Sequence, residues 1–181
     1  MRFICSLSLG LFGALVPLVD DRSPEKPNTL TRQEAMDGWA LLFDGRTTAG
    51  WKVQGDVRVE HGALVVGGAQ ASAVNLEKKR GYCNLRFDVI FDDAKDAKLT
   101  LNGYAKGRFI HAAPPGTKGW CHFFGQTMAS DISVWTSGTK GFGVQGNFPD
   151  RTDFAFYVPA GQKLRVRNIK VKNRLGDAGP D

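Results

Sequence analysis

From Tyr82 to Phe91 the sequence alternates. Cys83, Leu85, Phe87, Val89 and Phe91 are apolar, and Asn84, Arg86 and Asp88 between them are polar. A period of two belongs to a strand with one buried and one wet face, because successive side chains of an extended chain point to opposite sides. After Trp51 no stretch carries the 3.6-residue period of a long helix, while short runs of period two recur between turn residues. Val57–Glu60 and Ala63–Val66 flank a His61-Gly62 turn, and Ala73–Leu76 is a weaker strand. Further strands are expected at Lys98–Tyr104, Arg108–Ala112, Trp120–Phe124, Ile132–Trp135, Gly141–Gln145, Phe154–Val158 and Leu164–Lys172. Many strands joined by Gly- and Pro-rich turns make a sandwich or a barrel. The pattern alone leaves jelly-roll, immunoglobulin-like and barrel topologies open.

The last of these strands changes phase. Its apolar residues fall on even positions at Leu164 and Val166, then on odd positions at Ile169 and Val171. A switch of this kind marks a bulge at Arg167-Asn168. The default role there is structural, with the Asn side chain satisfying backbone groups that the bulge leaves unpaired.

Residues 1–19 read as a secretory signal peptide, with a basic start at Arg2 and an apolar run too short to span a bilayer. The expected location is therefore secreted or periplasmic, without stable membrane insertion once the signal is removed. Residues 20–29 carry two prolines and many charges and are expected to form a flexible tether. Residues 30–175 have the size of one domain, and 176–181 form a tail expected to be disordered. The formal net charge of +6 falls by one when Arg2 leaves with the signal. The remaining charge is dispersed, with clusters at Lys78-Lys79-Arg80 and Arg165–Arg174, and reads as a solvated surface rather than a nucleic-acid site. The mature chain keeps Cys83 and Cys121, which are either a disulfide or two buried thiols.

The segment Leu30–Trp51, LTRQEAMDGWALLFDGRTTAGW, opens with a capping box. Thr31 and Glu34 are spaced to satisfy each other's backbone N–H, Arg32–Asp37 supplies a turn or two of helix, and Gly38 ends it. Trp39–Phe43 then suits an early strand, turned by Asp44-Gly45. The run LTxxE, then GWxxLFDG, then GW resembles the entry segment of the 3-keto-disaccharide hydrolase family. The closing strand, with Arg167-Asn168-Ile169, and the Gly141-Phe-Gly-Val-Gln145 strand are similar to that family's final elements. The resemblance implies an all-β, concanavalin-A-like jelly-roll sandwich with one short N-terminal helix. It also implies hydrolysis of glycosidic bonds in 3-keto sugars, and a carbohydrate or keto-sugar ligand. Leu99-Thr-Leu-Asn102-Gly103 loosely matches one family strand and makes Asn102 a candidate substrate-binding residue, as the family's G-x-x-x-Q strand just before the end does Gln145. The family's acidic segment, of the form YEVQILD, has no counterpart. Gly107–Trp120 stands in its place and holds no carboxylate.

Ordinary glycoside hydrolysis uses two carboxyl groups facing each other across the scissile bond. No acid pair here has diagnostic spacing. Asp88, on the polar face of the best strand, is the candidate catalytic acid or base, with Arg86 as its expected neighbour and a candidate sugar ligand. His122, sharing a strand face with Trp120 and Phe124, is the candidate general base. Elimination from a 3-keto sugar needs only one base, because the ketone acidifies the adjacent C–H. Trp120 and Trp135 stand beside polar residues and are candidate sugar-stacking rings, whereas Trp39 and Trp51 are assigned to the sandwich core. The three histidines show no HxH or HxxxH spacing, so no metal motif and no cofactor motif is evident, and a divalent metal stays open. The alternative function is a non-catalytic carbohydrate-binding module that kept the fold and lost the acids.

Overall fold

A computed structural model describes residues 26–92, 98–102, 119–128, 131–136, 139–145 and 153–174. The expected signal (1–19), the first part of the tether, the strand at 108–112 and the tail (176–181) lie outside the described residues. One short helix precedes twelve strands among them: α1 (Arg32–Met36), β1 (Trp39–Leu41), β2 (Trp51–Gln54), β3 (Val57–Glu60), β4 (Ala63–Gly67), β5 (Ser72–Leu76), β6 (Cys83–Ile90), β7 (Lys98–Asn102), β8 (Cys121–Thr127), β9 (Asp131–Thr136), β10 (Thr139–Gln145), β11 (Asp153–Val158) and β12 (Lys163–Asn173).

The strands form two sheets. The larger runs β10-β9-β8-β6-β12-β4-β3, with β1 also paired to β12, and the smaller runs β2-β5-β11-β7. All their pairings are antiparallel. The odd residues of β6 enter the interior as their alternation requires, and Phe87 is 2% exposed there. Its ring stacks on Phe123 at 5.0 Å and meets Phe154 and Phe156 edge-on or tilted at 5.8 and 5.5 Å. Leu64, Val66, Val74, Val158, Leu164, Val166 and Ile169 complete the buried layer between the sheets. Everything polar on β6 therefore stands on the far side of the larger sheet, and that side is where the chemistry gathers.

The phase switch in β12 is a real irregularity. Its register with β6 shifts between Arg167 and Lys170, and Asn168 adopts φ +54°. Helix α1 carries the full reciprocal capping box, and Gly38 leaves it at φ +81°.

One open alternative is settled, in favour of two buried thiols, and two expectations change. Cys83 pairs near Thr127 at one end of β6, and Cys121 sits opposite Val89 at the other, both buried. Six residues of extended strand separate them, about 20 Å, far beyond the reach of a disulfide. Trp51 does fill the core, with Nε1–H donating to Leu42 O at 2.8 Å. Trp39 is buried too, but on the outer face of the larger sheet, where its register partner is Lys172. The second change is at the expected tether: Asn28 is 8% exposed and hydrogen-bonded into the sheet, so that residue belongs to the folded body.

Candidate functional site

The outer face of the larger sheet is ordered in rows by register. One row reads Arg167 (β12), Asp88 (β6), His122 (β8), and the next reads Lys170, Arg86, Phe124, Trp135 across β12, β6, β8 and β9. Residues opposite one another in antiparallel strands present their side chains on the same face, so each row is a set of neighbours.

Asp88 is the centre of the first row. It is 6% exposed, and three donors converge on its carboxylate. His122 Nδ1 meets Oδ1 at 2.6 Å, and a carboxylate oxygen in that place calls for the tautomer in which Nδ1 is the donor. Asn168 Nδ2 donates to Oδ2 at 2.6 Å, and Arg167 Nε reaches the same oxygen at 3.4 Å. A buried carboxylate is tolerated only when it is paired and hydrogen-bonded, and this one is both. The His122 side chain, by contrast, is 66% exposed. With Nδ1 held at the Asp88 carboxyl, Nε2 is the ring nitrogen left for solvent or a ligand, which is the arrangement of an oriented imidazole. Arg167 also lies over the Trp120 ring, its guanidinium 3.9 Å from the centroid, so Trp120 closes one side of the cluster.

A second cluster lies beside it. Glu34, from α1, accepts from Lys170 Nζ at 2.6 Å and from Thr31 N at 2.9 Å, with Arg86 at 3.7 Å. Burial pushes the Glu34 carboxyl up, but Lys170, the Thr31 N–H and Arg86 outweigh it and leave the group below its ordinary range. Arg86 also covers the Trp39 ring, 4.3 Å from the centroid, with Phe124 at 5.9 Å. The expected Arg86–Asp88 partnership is therefore not made. Residues two apart on one strand face are nearly 7 Å apart along the chain, and the cross-strand Arg167 is nearer.

The structure thus joins Asp88, His122 and Trp120, and sets Arg86 and the register position of Trp135 one row away. Gln145 stands on the same face but on β10, three strands from β6 and about 14 Å across the sheet. Asn102 does not join them: β7 belongs to the smaller sheet, where its register partner is Asp153 of β11. Arg167 and Asn168, expected to be structural, turn out to be direct partners of Asp88. No group of three or more His, Cys, Asp or Glu side chains able to hold a metal ion occurs among the described residues.

The sequence matches no family model and no curated protein. Solved structures do match it. A Parabacteroides distasonis protein assigned as a glycosyl hydrolase superposes with a TM-score of 0.61 at 18% identity, covering 82% of this chain and 100% of its own. The fold is a concanavalin-like jelly roll. The Crh5 transglycosylase shares it (TM-score 0.57, 11% identity, 86% of this chain and 89% of that one). So does carbohydrate-binding module CBM66 from Bacillus subtilis (TM-score 0.55, 9% identity, 68% and 96%). At these identities the likeness is one of fold, and both enzymes and binding modules carry this jelly roll.

Proposed function

We infer that the outer face of the larger sheet is a carbohydrate site whose base is His122, aligned by Asp88. The observation that carries this reading is the 2.6 Å contact between Asp88 Oδ1 and His122 Nδ1, with Oδ2 already taken by Asn168 and Arg167. The partners of Asp88 are all donors, which does not suit the two-carboxyl route to glycoside cleavage. One base does suit a 3-keto glycoside, the substrate that the sequence resemblance implies. His122 Nε2 takes the proton from the carbon between the ketone and the anomeric centre, and the C–H electron pair moves into the enolate. The anomeric C–O bond then breaks, its oxygen keeping the electron pair and taking the proton from the imidazolium. Addition of water to the resulting enone completes a net hydrolysis. Arg167 supplies a permanent positive charge beside the developing enolate, and Trp120 supplies aromatic surface for the C–H face of a sugar. Export through residues 1–19 is part of the same reading. The jelly-roll neighbours, a protein assigned as a glycosyl hydrolase and a carbohydrate-binding module among them, support a sugar as the ligand.

One observation favours the second reading, a binding module without catalysis: no carboxylate occurs between Gly107 and Trp120, where the resembled family has its acidic segment. A panel of 3-keto-glucosides, offered to the protein with and without divalent metal, separates the two. Product detected by mass, and lost in His122→Ala, supports the enzyme. Because His122 is largely exposed, that variant keeps its fold. Heat of binding without product, lost in Trp120→Ala, supports the binding module. Silence in both channels ends the sugar reading for this panel.

A further inference from the structure

Asp88 is held by Asn168, and Asn168 is held in turn by a residue 140 positions away in sequence. Asn28 N–H donates to Asn168 Oδ1 at 2.6 Å, and Asn168 N–H donates to Asn28 Oδ1 at 2.8 Å. The two asparagines thus clasp each other, backbone to side chain, in both directions. Both have left-handed backbones, at φ +57° for Asn28 and +54° for Asn168, a region that asparagine tolerates better than other non-glycine residues. The far side of Asn28 is fixed as well: Nδ2 donates to Gly62 O at 2.7 Å. The turn at Gly45 is shaped around it, since a Cβ there would stand 2.5 Å from Asn28 Nδ2.

The clasp determines which way the Asn168 amide points. Its oxygen is committed to Asn28 N–H, so its NH2 group is the end that meets Asp88 Oδ2. A flipped amide would set oxygen against carboxylate and leave two buried acceptors facing each other, at a cost of about 1–3 kcal/mol for each unsatisfied group. With Oδ2 satisfied in this way, Oδ1 is left for His122 Nδ1–H. We propose that Asn28 is a positioning residue for the His122 base, acting through Asn168 and Asp88 to select the imidazole tautomer with Nε2 free to accept a proton. The proposal rests on the reading of His122 as the base. Asn28 touches neither His122 nor a substrate, and it supplies the acceptor that the left-handed Asn168 N–H requires.

The test is nitrogen-15 NMR of labelled histidine in the full chain, which needs no substrate. The signals expected of His122 in the wild type are those of a protonated Nδ1 and a bare Nε2. Asn28→Gly keeps the left-handed backbone and its N–H but deletes the side-chain half of the clasp, both the acceptor for Asn168 N–H and the tie to Gly62 O, so Asn168 is no longer held in place; His122 then loses the single Nδ1–H tautomer, and turnover of a 3-keto-glucoside falls about 10²-fold in kcat with KM unchanged, as expected for a misplaced catalytic group. Asn28→Asp retains an acceptor for Asn168 N–H and gives up only the Gly62 bond, so it restores the tautomer although it is less stable than wild type. A folded Asn28→Gly protein with unchanged His122 signals overturns the proposal. If that variant does not fold, Asn168→Gly removes the amide while keeping its backbone region, and unchanged His122 signals there overturn the proposal equally. A tautomer that responds to Asn28 in a protein that neither binds nor cleaves sugars upholds the positioning role and removes the sugar reading instead.

Discussion

Asp88 and Glu34 are both acids held against β12, in adjacent rows of the same sheet face, and they end in different places. Glu34 reaches in from a one-turn helix and meets Lys170, a lysine only 5% exposed, so both charges finish inside the contact. It works as a staple, fastening α1 to the last strand. Asp88 rises from the sheet itself and its partners lead outward, through His122, to a ring two-thirds in solvent. The difference shows that burial of an acid is not by itself a sign of chemistry. What distinguishes the Asp88 cluster is that one of its donors is titratable, oriented and accessible.

The comparison breaks if the two acids respond alike. The largest effect is expected from Asp88→Ala, which strands Asn168 and Arg167 around a cavity; unfolding by denaturant should show a loss of about 3–5 kcal/mol, the range for removing one partner of a buried ionic cluster. Any sugar turnover should vanish with it. Lys170→Met should cost less, about 2 kcal/mol, because Glu34 keeps the Thr31 N–H and has a route to water. It should leave the His122 tautomer and turnover untouched, and a change in either would mean that the two clusters act as one. The smallest effect is on pH dependence. The folded-state pKa of Glu34 is lowered from 4.5, so its stabilisation is present above that value and is lost as pH falls through the lower folded one. Stability curves of wild type and Glu34→Gln should therefore lie apart near neutrality and converge on the acid side. Curves that stay parallel down to strong acid would show that Glu34 is not held as described.

Much of the frame was readable in the chain itself. The alternation at 82–91 sends Phe87 inward and Asp88 outward without reference to any other strand. The phase switch between Val166 and Ile169 announces the bulge, since only an inserted residue lets both halves of one strand face the same core. What the pattern does not carry is register. Nothing local to His122 says that it lies opposite Asp88, so the expected partner was the near neighbour in sequence, Arg86, when the partners are His122, Asn168 and Arg167. Asn28 escaped for a related reason. It stands among prolines and charges whose composition describes a tether, and its role depends on a contact with a residue on the far side of the chain. The one hint was an asparagine just before a capping box, a residue type suited to left-handed backbone. Trp39 was misassigned because a tryptophan buried beneath an arginine on a sheet's outer face has the same sequence signature as one in the core.

β12 is central in the larger sheet, yet it is synthesised after every strand it pairs with: β1, β4 and β6. Until it arrives, β4 and β6 have no bridge between them, and Arg167, Asn168 and Lys170 are all still to come. The staple cannot form behind the growing chain, and the Asp88–His122 pair lacks Arg167 and Asn168 until β12 arrives. The earlier strands wait as open edges, their pairing deferred across some eighty to a hundred and thirty residues, which is the arrangement expected of slow, all-or-none assembly. The strand that completes the larger sheet is therefore also the one that brings Arg167, Asn168 and Lys170 to their acids.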